Sequence, residues 1–204
     1  MVEPFGFGKR MLLLLPKAIS HLFSRRRRHR GSATVELPGV LLILFFFLAF
    51  PMLNLATSAL RAYFLRSAVL DAAHRAAKAC TFITDVAATA EEPFCQSAVN
   101  RANDSLDRFA QGFQGISIDT RQVAIVRQDA QTGTEDPPYT SKLNISDIDS
   151  EKYLYYVEVS ITGKAQPLVS MAGTIIPPID GLTGPMKLNL TGRELFEQVE
   201  GLTE

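Results

Sequence analysis

"RRRRHRGSATVELPGVLLILFFFLAFPMLNLATSAL", residues 25–60, decides how the whole chain is read. Its second part, residues 37–60, holds 24 residues without a charge. As a helix rising 1.5 Å per residue that run would span about 36 Å, enough to cross a hydrocarbon core of ~30 Å. It predicts a transmembrane helix. A cleaved export signal, twin-arginine type included, does not account for it, because such signals carry an apolar region of only ~7–15 residues. The earlier apolar run at residues 11–15 is stopped by Pro16 and Lys17 and is too short to span. One acid, Glu36, stands at the mouth of the span, where a charge is expensive.

Working outward, the formal charge of zero hides an asymmetry. Residues 1–31 carry eight bases against one acid, and the remainder thirteen bases against twenty acids, so the parts stand at +7 and −7. Residues 1–31 therefore read as a basic leader or cytoplasmic segment. Arg25, Arg26, Arg27, Arg28 and Arg30 act as the topology signal, since cytoplasmic flanks are rich in Lys and Arg. The expected topology is single-pass, with the N-terminus cytoplasmic and the part after about Leu60 outside the cytoplasmic membrane. Cys80 and Cys95 then fall in an oxidising compartment. One intramolecular disulfide is available to them; the alternative is two separate buried thiols.

Past the span, residues 61–80, "RAYFLRSAVLDAAHRAAKAC", are alanine-rich with no Gly or Pro and continue the same helix to about Phe82. A second helix is marked by Pro93 and by Phe94, Ala98, Ala102, Leu106, Phe109 and Phe113 at steps of three and four, closed by Gly112 and Gly115. "GISIDTRQVAIVRQ" predicts one strand or a broken hairpin, and "YLYYVEVSIT" and "MKLNLTG" alternate as strands. The connection "PLVSMAGTIIPPIDGLTGP" is broken by prolines. The expected fold is α+β: a long N-terminal helix, a second helix, and an antiparallel sheet of three or four strands on the outer half of the first. The domain plan is a leader over 1–31, a long N-terminal helix over 32–82 with its span at 37–60, and an extracytoplasmic domain over 83–204.

Catalytic chemistry finds little to use. Only His74 lies beyond the leader and the span, and it reads as a helix-surface residue. No spacing suggests a zinc site, a phosphate loop or a nucleophile elbow. Asp147, Asp149 and Glu151 do not follow the order of an EF-hand loop and read as a solvated acidic turn. Neither an enzyme nor a metal or other cofactor is expected. The arginine run stands directly before a span, so it points to anionic lipid headgroups and topology rather than to nucleic acid.

Gly31 followed by "SATVE" resembles a type IV prepilin cleavage site: a basic leader ending in glycine, glutamate at the fifth mature position, and an apolar helix. Over residues 30–79 the chain is similar to the TadE-like minor pseudopilins of tight-adherence (Tad) pilus systems. One departure is "LPG" at residues 37–39, which places Pro38 early in the helix. The resemblance implies a bacterial inner membrane with the C-terminal domain periplasmic, a pilin-like role for the N-terminal helix, and cleavage between Gly31 and Ser32 by a prepilin peptidase. It also implies entry into a Tad-type pilus or its base, with other pilin or pseudopilin subunits, an inner-membrane assembly platform and the lipid bilayer as partners. Glu36 would then pair with an N-terminal amine, its own or a neighbour's, and set subunit register. The alternative for Glu36 is capping of the first helical turn. Pro51 is expected to kink or loosen the helix. The competing reading of the whole chain is an uncleaved single-span scaffold of a pilus or secretion machine.

Overall fold

The computed structural model describes residues 33–88, 94–170 and 179–203. The chain divides into two units, one ending at Leu48 and one beginning at Ala49. Described residues of the first unit form helix α1, Ala33–Leu44, and all but the last residue of a π-helical turn, Phe45–Ala49. The second unit holds α2 (Phe50–Ala77), α3 (Ala98–Gly112), β1 (Ile116–Asp129), β2 (Tyr153–Ala165) and β3 (Met186–Leu195). The fold is α+β, as expected: helical from Leu37 to Ala77, then a second helix and one three-stranded antiparallel sheet in the order β1-β2-β3.

β2 is central because both its edges are paired, Val123 with Val159 on one side and Ile161 with Leu190 on the other. Its period-two pattern buries Tyr155, Val157, Val159 and Ile161 on one face. That face receives Leu65, Val69, Ala72 and Ala76 of α2. Alanines let the helix sit close, and two glycines let the strands sit closer. A Cβ on Gly192 would lie 2.8 Å from the Val69 carbonyl oxygen, and one on Gly163 would lie 2.9 Å from a Leu65 methyl. α3 completes the core with Ala98, Ala102 and Leu106, all fully buried.

"GISIDTRQVAIVRQ" forms one strand, the first of the two alternatives expected, with a register irregularity between Ile118 and Thr120. Two element ends differ from those expected. α2 stops at Ala77, five residues before Phe82, because the chain turns there to bury Phe82 and to donate its N–H to Gly201 O. α3 starts at Ala98, four residues after Phe94. Cys95 is held extended by paired hydrogen bonds with Val86, and Ser97 caps the helix by accepting from the Asn100 N–H. Phe94 and Phe113, the first and last of the periodic set that marked this helix, lie outside it and are 58% and 41% exposed. Pro93 lies outside the described residues.

Candidate functional site

The helix Leu37–Ala77 is long and apolar enough to cross a membrane. Every large apolar side chain from Leu37 to Leu48 is more than half exposed. Helix α1 begins before Pro38 and runs through it, so the early proline does not delay the start. Glu36 falls in the first turn of α1. The cleavage pair Gly31 and Ser32 and the arginines at 25–28 and 30 lie outside the described residues.

Around Pro51 the winding changes. Proline has no N–H to give the carbonyl of residue 47, and its ring crowds that turn. The backbone winds as a π-helix over Phe45–Ala49 and returns to α at Phe50, with Pro51 in the first turn of α2. A wider turn directly before a proline is one known way to relieve that crowding.

Next comes a site that the sequence reading did not find. Asn54 and Ser58, inside the stretch read as a charge-free span, are fully buried. They are covered by the chain's own β2–β3 connection. The Asn54 amide donates to Val169 O at 3.2 Å and Leu182 O at 3.0 Å, and its oxygen accepts from the Val169 N–H at 3.1 Å. Ser58 donates to Gly181 O at 2.6 Å. One turn further on, Arg61 donates to Gln166 O at 2.6 Å and Pro167 O at 3.1 Å. Gly181, at φ +79, turns the strap back over Ser58 in a conformation that a side chain would strain. The only advance signal was two polar residues, four apart, in an apolar helix.

At the far end of α2, Cys80 and Cys95 form a disulfide, with Cα atoms 6.3 Å apart. It joins the exit of α2 to the entry of α3. Asp85 reinforces the joint: its carboxylate accepts from the Ser97 backbone N–H at 2.7 Å and from the Asn100 amide at 2.9 Å. The Ser97 N–H, chiefly, holds the Asp85 carboxyl below the ordinary aspartate range.

Between α2 and α3 runs an open groove of two characters. Phe64, Phe109 and Phe113 cluster at one end, with ring centroids 4.6 to 5.2 Å apart. Arg75, Lys78, Arg101 and Arg108 line the other. His74 is half exposed on α2, 3.9 Å from Glu194. Asp149 accepts from the backbone N–H groups of Glu151 and Lys152, and the Asp147 carboxylate accepts from the Asn144 amide, so these acids serve local turns. Among the described residues no group of three His, Cys, Asp or Glu is placed to hold a metal ion.

No family model matches the chain, and no curated protein or solved structure matches it significantly.

Proposed function

We propose that the chain is a membrane-anchored minor pseudopilin, cut by a prepilin peptidase between Gly31 and Ser32, that takes part in assembling a Tad-type pilus for surface adherence. The observation that carries the reading is the division of labour along one helix. Its first part is bare and apolar, and its last part, from Leu65 onward, is the packed core of an α+β head. Such a helix, placed behind "RRRRHRGSATVE", is what a subunit needs to leave a bilayer as a unit and pack by its apolar stem. Glu36 then offsets the charge of the new Ser32 amine in an apolar core where neither charge would be stable alone. The groove beside α3 offers neighbouring subunits an aromatic end and a cationic end.

The test is mass spectrometry of the N-terminus after co-expression with an active or an inactive prepilin peptidase. A chain beginning at Ser32 only with the active enzyme is the expected result. An intact N-terminus in both favours the uncleaved scaffold. In the same cells Glu36→Ala should be inserted and cut but lost from complexes with pilus partners, and normal co-purification would favour simple helix capping.

A further inference from the structure

The two connections flanking β2 differ in chemistry. Residues 130–152, between β1 and β2, include seven charged side chains among twenty-three. Residues 166–185, between β2 and β3, include one, Asp180, among twenty. They also sit at opposite ends of α2. The charged connection is tied to the Cys80 end, where Leu143 donates to Leu202 O and Phe82 to Gly201 O. The uncharged one is tied to Asn54, Ser58 and Arg61.

The helix sets the level of those ties. With Glu36 marking the inner boundary, a helix from Leu37 reaches Asn54 after about 26 Å and Arg61 after about 36 Å. A hydrocarbon core is ~30 Å thick. The ties to the strap thus bracket the outer boundary of the bilayer. Non-helical backbone is tolerated at that depth only where its polar groups are satisfied by protein. Here they are. The carbonyls of Gln166, Pro167, Val169, Gly181 and Leu182 all accept from α2 side chains, and the Ile179 carbonyl accepts from the N–H groups of Leu182 and Thr183. With those carbonyls turned to the helix, Leu168, Val169 and Ile179 stand exposed at 56%, 44% and 47%.

We infer that the described flanks of the β2–β3 strap, residues 166–170 and 179–185, form a lipid-contacting collar. It inserts Leu168, Val169 and Ile179 into the outer interface of the bilayer beside the span and fixes the depth at which the head sits. This rests on the proposed membrane anchoring of the helix. The occupant is phospholipid rather than a second copy because the apolar side chains lie at the level where the stem itself would leave the bilayer.

The chain contains no tryptophan, so single substitutions give unambiguous reporters. Full-length Leu168→Trp, Phe46→Trp and Leu154→Trp proteins would be placed in phosphatidylethanolamine/phosphatidylglycerol vesicles, plain or doped with phosphatidylcholine brominated at shallow or deep acyl positions. Leu168 is exposed, so its replacement leaves the fold intact; far-ultraviolet circular dichroism checks this. Leu168→Trp should be quenched most by shallow bromines, Phe46→Trp by deep ones, and Leu154→Trp, on the sheet, by neither. Quenching of Leu168→Trp by aqueous iodide but not by bromolipid would overturn the collar in favour of a water-facing strap. Protection from both quenchers would overturn it in favour of a protein-covered one. If Phe46→Trp also escapes bromolipid, the membrane reading itself fails.

Discussion

Replacing Asn54 by alanine tests the strap most directly. The variant removes three hydrogen bonds at 3.0–3.2 Å and leaves the Val169 N–H, the Val169 carbonyl and the Leu182 carbonyl without those partners. Each such bond contributes about 1 kcal/mol net, so the strap should lose about 3 kcal/mol of local stability, less where water enters to replace the amide. The loss is local because α2, α3 and the sheet keep their own core. At 1.4 kcal/mol per tenfold, amides that open with the strap should exchange with deuterium about 100-fold faster. Peptide-resolved hydrogen exchange on the full-length protein in detergent reads this. The amide of Phe82, bonded to Gly201 O at the other end of the domain, serves as the internal reference and should not change. Ser58→Ala, which removes a single bond, should give a smaller acceleration confined to the Gly181 turn. Unchanged exchange over residues 166–170 and 179–184 in Asn54→Ala would refute the claim that the helix holds the strap.

Three further outcomes follow from the head. Changing Cys80 and Cys95 to serine together should destabilise it by about 3 kcal/mol for a loop of this length, read by chemical denaturation, while thiol labelling of the native wild-type protein without reductant should find neither cysteine free. Gly192→Ala would drive a Cβ against the Val69 backbone, which cannot swing away, and should cost about 1–3 kcal/mol in the same assay; Gly184→Ala, with nothing within 4 Å, should be close to neutral. The Asp85 carboxyl titrates lower in the folded state than in the unfolded one. Its contribution is therefore complete above about pH 4 and is lost as the pH falls through its depressed folded value, so Asp85→Asn should flatten the acid limb of the stability curve and leave neutral behaviour nearly unchanged.

The sequence was informative where one residue pattern implies one partner. Alternation in "YLYYVEVSIT" places Tyr155, Val157, Val159 and Ile161 on a common face, which needs an apolar layer to cover it. The alanine run ending at Ala77 supplies that layer, and with only two cysteines a disulfide has a single pairing to make. Element ends were less legible because tertiary bonds set them. α2 stops early because Phe82 is drawn into the core, and α3 starts late because Val86 and Cys95 pair. The strap was not legible at all. Its ties join residues more than a hundred positions apart, and the polar side chains that make them sit in a run whose hydropathy reads as plain span.

Those ties also lie where the helix passes from its bare, apolar part to its packed part. Up to Met52 and Leu53 the helix presents large aliphatic and aromatic side chains outward, which lipid satisfies and water does not. From Leu65 it presents alanines inward, which a sheet can approach closely. Neither solution serves the turns between, where the sheet has ended and a bilayer would be thinning out. There the helix uses Asn54, Ser58 and Arg61 as donors, and a connection with almost no charge supplies the acceptors as carbonyls. The head is consequently fixed to its stem at two heights, by packing from Leu65 to Ala77 and by hydrogen bonds at residues 54–61. A stem drawn out of a membrane on the proposed pathway would pull on both. The lower attachment is made of a few replaceable hydrogen bonds and the upper of a closed core, so the strap should yield first and leave the α+β head intact.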